Sequence, residues 1–102
     1  MGGSPGGLPL IRELVGARSW DFSLHVYERL DAGDYTEADL QRCALTGTIH
    51  KREKDEYGEA VDGNKYTIVG QAVAGYPFYV VGKILRGEEG QYFFLITAHT
   101  AK

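Results

Sequence analysis

The sequence predicts an α+β fold, in which two or three N-terminal helices pack on one face of a four-stranded antiparallel β-sheet. Apolar residues recur at helical spacing in the first half, alternate with polar residues after Gly47, and are separated there by short glycine-containing loops. A chain of 102 residues has room for one hydrophobic core. We therefore expect a single domain over residues 8–102.

The first seven residues are expected to be disordered, because they are mostly glycine and have little to bury. A first helix follows, with Pro9 suited to its first turn and Gly16 suited to its end. Its predicted apolar stripe contains Leu10, Ile11, Leu14 and Val15.

The second helix is predicted to begin at Asp21, a good N-cap residue, and to end at Gly33. Apolar residues at intervals of four would form its buried stripe: Phe22, Val26 and Leu30.

The third helix has a capping box, in which Thr36 is the N-cap and Asp39 takes the position usual for glutamate. Gly47 ends this helix. Its predicted buried face consists of Leu40, Cys43 and Ala44.

Alternating residues predict strands near 48–51, 65–72, 78–85 and 91–99. Since successive side chains of a strand point to opposite faces, parity predicts burial. The even positions would face the helices: Tyr66, Ile68, Gly70, Ala72, Phe78, Val80, Gly82, Ile84, Tyr92, Phe94, Ile96 and Ala98. The odd positions, including Tyr79, Val81, Lys83, Phe93, Leu95, Thr97 and His99, would form the outer face. A slip of one residue would invert the assignment.

Composition narrows the function classes. A net charge of −3 argues against tight, non-specific binding of nucleic acid, and the local basic run 51–54 is interpreted as a solvated strand end. The single Cys43 excludes an internal disulfide and a multi-cysteine zinc site, and we interpret it as a buried, inert thiol. Neither a membrane span nor a signal peptide is evident, so we expect a cytoplasmic protein. No glycine-rich phosphate loop, His-Glu-x-x-His motif or paired-cysteine motif occurs, so we expect no metal or cofactor.

The most informative candidate pair is His25 and Arg29, which are four residues apart and therefore neighbours on a helix. Counted from Phe22, Arg29 lies close to the apolar stripe, where a charge needs a partner or a cleft. The alternative is an arginine that reaches the surface or pairs with a carboxylate, beside a boundary histidine.

A second candidate group contains Thr97 and His99 on the last strand, with Lys83 and Tyr79 on its neighbour. These side chains together could bind an anion and transfer a proton. The alternative is that they are ordinary exposed strand residues.

Several stretches together resemble a family of small bacterial domains of unknown function, grouped with the RelE-like toxins in the barnase, EndoU, colicin and RelE fold group. The matching stretches are FSLH (22–25) followed by Arg29, TEADL (36–40), ALTGTI (44–49), KYTIVG (65–70), YVV (79–81) and LIT (95–97). The resemblance implies a metal-independent endoribonuclease of a toxin-antitoxin pair, with RNA and an antitoxin as partners. It matches the family's histidine, arginine and last-strand hydroxyl to His25, Arg29 and Thr97.

We therefore predict RNA cleavage with His25, Arg29 and Thr97 as catalytic residues. The candidate substrate-binding residues are Lys83, His99, Tyr79 and Tyr66. Since the helices face the even side and Thr97 the odd side, the site requires either a position at the sheet edge or a bulge near residue 97.

The alternative function is a non-catalytic module that binds another protein through its outer sheet face. The residues expected to form that surface are Tyr79, Val81, Phe93 and Leu95.

Overall fold

A computed structural model describes residues 7–101. The helices are α1 (Leu8–Gly16), α2 (Leu24–Asp31) and α3 (Glu37–Thr46). The strands are β1 (Trp20–Phe22), β2 (Thr48–Lys54), β3 (Asn64–Gln71), β4 (Pro77–Gly87) and β5 (Gly90–Thr100).

These strands form one sheet in the order β1-β5-β4-β3-β2. The predicted α+β class is confirmed, and β2 to β5 are the four antiparallel strands expected from the sequence. The prediction missed β1, which pairs in parallel with β5 and makes the sheet five-stranded and mixed. Of the segment expected to be disordered, residues 1–6 lie outside the described part of the chain, and Gly7 is the N-cap of α1.

The second helix begins later than predicted, because residues 20–22 form β1. Ser23 is its N-cap instead of Asp21, and the Ser23 Oγ accepts a hydrogen bond from the backbone N–H of Val26 at 3.3 Å. The same hydroxyl donates to the carbonyl of Ile96 at 2.7 Å. Pairing with β5 therefore overrides the local preference of Asp21 for a helix start. At the other end, α2 ends at Asp31, before Gly33 with its φ of 80°.

The first and third helices follow their local signals. Pro9 lies in the first turn of α1, which buries Ile11 and Val15. The Thr36 capping box is present, with reciprocal hydrogen bonds of 3.2 Å and 2.9 Å to Asp39. Gly47 is the C-cap of α3, and the predicted face of this helix is fully buried.

The helices cover one face of the sheet, called here the inner face, and the opposite face is the outer face. α3 packs on β3 and β4, α1 packs on α3 and β5, and α2 packs on β5 and β1. One hydrophobic core lies between the layers. The inner-facing residues predicted on β3 and β4 are buried, as expected, except for the half-buried Gly70, and Ile68, Phe78 and Val80 are inaccessible to solvent.

On β5 the predicted faces are inverted before residue 97. Phe93 and Leu95 are fully buried on the inner face, whereas Tyr92, Phe94 and Ile96, which were predicted to be inward, are not. The register with β4 causes this inversion, because Leu85 pairs with Tyr92 and Gly82 pairs with Leu95. A β-bulge with Ile96 as the extra residue then restores the predicted faces, since Val81 pairs with Thr97.

After the bulge the prediction is correct again. Ala98 is buried on the inner face, and Thr97 and His99 lie on the outer face opposite Val81 and Tyr79.

Candidate functional site

Two histidines and a tyrosine meet on the outer face, beside the edge of the sheet. The ring centroids of His25 and His99 are 5.6 Å apart, and those of His99 and Tyr79 are 5.8 Å apart. His25 belongs to α2, whereas His99 and Tyr79 are cross-strand partners on β5 and β4. The sequence therefore named all three residues, and the structure brings them together.

This meeting takes place at the edge of the sheet, which is one of the two arrangements that the sequence allowed. The other, a bulge that brings Thr97 to the helix side, does not apply, because Thr97 stays on the outer face. β1 stops pairing with β5 at Leu95, and Ser23 then ties the start of α2 to the Ile96 carbonyl. α2 consequently runs beside the second half of β5, at the sheet edge. The bulge at Ile96 turns Thr97 and His99 to the outer face, where His25 reaches His99.

Thr97 lies on the same face and strand as His99, two residues earlier, a spacing of about 7 Å along a strand. Among residues 7–101, no hydrogen bond engages the side chains of His25, Tyr79, Thr97 or His99 (the histidine cluster). His25 is exposed and the other three are half-buried. The cluster thus has free donors and acceptors at an accessible surface.

Arg29 lies at the surface, and its expected position close to the apolar stripe is wrong. Its side chain is 46% exposed, and its Nη1 is 2.9 Å from the Asp34 carboxylate, which is 43% exposed. The helical count started at Phe22, but Phe22 belongs to β1, so Val26 and Leu30 define the stripe and Arg29 flanks it. Arg29 still lies one turn after His25 on α2.

Lys83 is buried on the outer face, where it anchors a loop instead of joining the histidine cluster. Its Nζ is 2.8 Å from Glu59 and 3.2 Å from Asp55, and it lies 5.3 Å from the centre of the Tyr57 ring. It lies four positions after Tyr79 on β4, a distance of about 13 Å along the strand. Its charge is neutralised by two carboxylates.

Asp55 organises the loop that Lys83 holds, a role that the sequence analysis did not find. Its carboxylate accepts backbone hydrogen bonds from Tyr57 at 3.3 Å, Glu59 at 2.8 Å and Ala60 at 2.7 Å. The available signal was Lys83 itself, because a lysine on a sheet face that also carries apolar residues needs a nearby carboxylate.

The acid sensitivity of this loop follows from Asp55. Burial alone would raise the pKa of Asp55, but hydrogen bonds from Ala60, Lys83 and Glu59 outweigh it and lower that pKa. A lowered folded-state pKa stabilises the fold above the ordinary carboxyl pKa of about 4, and the contribution is lost as the pH falls through the folded value.

We predict that Asp55→Asn lowers the urea midpoint by a constant amount above about pH 5, and that this deficit shrinks below about pH 4. Urea titrations of both proteins across this range measure the difference. The matched control is Asp31→Asn, an exposed carboxylate without a hydrogen bond among the described residues. A deficit that stays unchanged down to pH 3 would contradict the assignment.

Tyr66 lies on the inner face, away from the histidine cluster. It is 2% exposed, and its hydroxyl donates to Asp62 at 2.5 Å. Burial and this hydrogen bond raise the pKa of Tyr66. The structure therefore places Tyr66 in the core, where it closes the loop before β3.

The apolar part of the outer face differs from the surface that the alternative function predicted. Phe93 and Leu95 are buried, and Phe94 and Ile96, which are half-buried, lie on the outer face in their place. These two residues line a cleft of about 720 Å³ together with Tyr57, Lys83 and the loop carboxylates.

Other reactive groups are isolated. Cys43 is buried, with its Sγ 3.5 Å from the Phe78 carbonyl, and burial raises the pKa of the thiol to about 11. This confirms a buried thiol, and the raised pKa lowers the fraction of reactive thiolate. Residues 7–101 contain no group of three or more histidine, cysteine, aspartate or glutamate side chains placed to hold a metal ion.

In the same part of the chain, every helix is too short or too polar to cross a membrane.

Comparison with protein-family models, curated proteins and solved structures finds no match to this chain.

Proposed function

We propose that this protein cleaves single-stranded RNA without a metal ion, with His25 and His99 as the acid and base. The observation that carries the proposal is the 5.6 Å separation of the two imidazole rings on an accessible surface. Imidazole is the side chain whose ordinary pKa allows it both to accept and to donate a proton near neutral pH.

In this reaction the ribose 2′-hydroxyl attacks the adjacent phosphorus. One imidazole removes the 2′-hydroxyl proton, and the other donates a proton to the leaving 5′-oxygen. The products are a 2′,3′-cyclic phosphate and a 5′-hydroxyl. Two proton carriers a few ångströms apart can serve both sides of one phosphate, which a single imidazole does less well.

The neighbouring side chains supply the remaining functions. The Thr97 hydroxyl donates a hydrogen bond to a phosphate oxygen, and Tyr79 offers a ring on which a base can stack. Arg29 stabilises negative charge on the phosphate, which replaces Asp34 as the partner of the guanidinium. This exchange is inexpensive, because ion pairs exposed to solvent contribute little to stability.

The proposal is tested with purified protein, EDTA and a labelled single-stranded RNA, between about pH 5 and 8. Cleavage is expected to leave a 2′,3′-cyclic phosphate terminus. A matched oligonucleotide with 2′-deoxyribose at every position is expected to remain intact, because it lacks the nucleophile. RNA that stays intact throughout, or DNA that is cut equally well, would contradict the proposal. We also propose a toxin role, for which expression of the chain should arrest growth.

A second candidate is a non-catalytic module that binds protein through the outer face. The observation that favours it is the surface pairing of Arg29 with Asp34, which satisfies the arginine without any ligand. The half-buried apolar residues Phe94 and Ile96 would then be the contact surface, and replacing His25 would leave binding unchanged.

A further inference from the structure

β2 forms one edge of the sheet, and its second backbone edge faces solvent. It pairs with β3 alone, and within residues 7–101 no backbone hydrogen bond from another element reaches that edge. Its side chains are exposed except for Ile49 and Glu53, which are half-buried. A β-bulge at His50 interrupts the strand, and the regular part after it, residues 51–54, presents a row of free donors and acceptors, which is what binding by strand addition requires.

The charge of this edge is opposite to that of the protein. The chain carries a net charge of −3, yet β2 contains Lys51, Arg52 and Lys54 with one acidic residue, Glu53. Glu53 is already paired with Lys51 at 3.4 Å and lies 4.0 Å from Lys65. In the part of the chain that is described, Arg52 and Lys54 form no ion pair. Two positive charges are thus left on an open edge.

We propose that the open edge of β2 binds an extended acidic segment of another protein, which adds to the sheet as a sixth strand. Arg52 and Lys54 lie on the same face of β2, because they pair with Tyr66 and Asn64. An added strand with an acidic residue at every second position places carboxylates beside both. A second copy of β2 fits poorly, since it would bring these cations toward each other.

This binding does not depend on the histidine pair. β2 and β5 are separated by β4 and β3, so the edge lies about 14 Å from the strand that carries His99. Peptide binding at β2 and RNA cleavage at the histidine cluster can therefore be tested independently in separate assays.

The test uses the full chain and a fluorescent eight-residue peptide that alternates glutamate with threonine. Two control peptides are the lysine counterpart and the acidic peptide with every backbone nitrogen methylated. The acidic peptide is expected to bind at least about tenfold more tightly than either control, and to slow amide hydrogen exchange in residues 48–54. An acidic peptide that binds no tighter than the controls, or that protects another region, would overturn the proposal.

A charge-reversed variant, Arg52→Glu with Lys54→Glu, should lose at least about tenfold in affinity for the acidic peptide and gain affinity for the lysine peptide. The matched control is Arg18→Glu with Arg86→Glu, which makes the same change in net charge at exposed positions outside β2. Equal losses in both variants would show that only net charge matters, and would overturn the proposal.

Two other occupants give distinct results. An unstructured RNA that binds β2 more tightly than the acidic peptide, and that loses affinity in the charge-reversed variant, would assign the edge to RNA. Dimerisation of the unliganded chain, with exchange protection of residues 48–54, would assign it to a second copy. Either result would overturn the proposal.

Discussion

Replacing His99 with alanine is expected to slow RNA cleavage by a factor of about 10² to 10⁴, and His25→Ala is expected to do the same. Each variant removes one of the two proton carriers whose rings are 5.6 Å apart. Because the two residues act on the same transition state, the double variant should be little slower than either single variant. Initial rates with the labelled RNA measure all three effects.

The pH profile separates a catalytic loss from a structural one. A pair that needs one protonated and one neutral imidazole gives a bell-shaped rate profile, and loss of one partner removes one limb. Removing a residue that only supports the fold would lower the rate at every pH without changing the shape. The profile of His99→Ala should therefore keep a single limb.

His50→Ala is the matched control, because His50 is the remaining histidine of the chain and lies exposed on β2. Its activity should equal that of the unmodified protein. Arg29→Ala is expected to have a smaller effect than either cluster histidine, since Arg29 must first leave Asp34. If His50→Ala were as slow as His25→Ala, or if the double variant retained full activity, the assignment of the pair would fail.

The fold was predictable where local chemistry decides it. The Thr36 capping box and the Gly47 helix end depend on a few neighbouring residues, and both are present in the structure. β1 was not predictable in this way, because Trp20–Phe22 becomes a strand by pairing with residues more than seventy positions later. A local pattern contains no information about such a partner.

The candidate site was predictable as a set of residues but not as an arrangement. His25, Tyr79 and His99 were named from their residue types and parity, and Arg29 was given a position that depended on Phe22 being helical. The bulge at Ile96 decides which face each β5 residue occupies, and an extra residue in one strand leaves no trace in an uninterrupted apolar run such as 92–96. Because the residues on both faces of this run are apolar, the sequence pattern does not show where the alternation between faces is interrupted.

The largest expected effect on stability comes from Gly47→Ala. A Cβ atom at this position would lie 2.6 Å from the carbonyl oxygens of both Cys43 and Val69, and 2.9 Å from the Ile68 Cγ2. Both oxygens belong to the backbone, one in α3 and one in β3, so neither can rotate away. These clashes can be relieved only if α3 moves away from the sheet on which it packs.

We therefore expect Gly47→Ala to destabilise the fold by about 3 kcal/mol, the upper end of the usual cost of overpacking. For a domain of this size that corresponds to a fall in Tm of roughly 12 to 24 °C. The control is Gly16→Ala at the end of α1, where a Cβ meets no atom within 4 Å, and its stability should change by less than about 1 kcal/mol. Thermal and urea unfolding of both variants measure the difference. Similar Tm values for the two would mean that α3 does not lie against β3 as closely as the glycine at residue 47 implies.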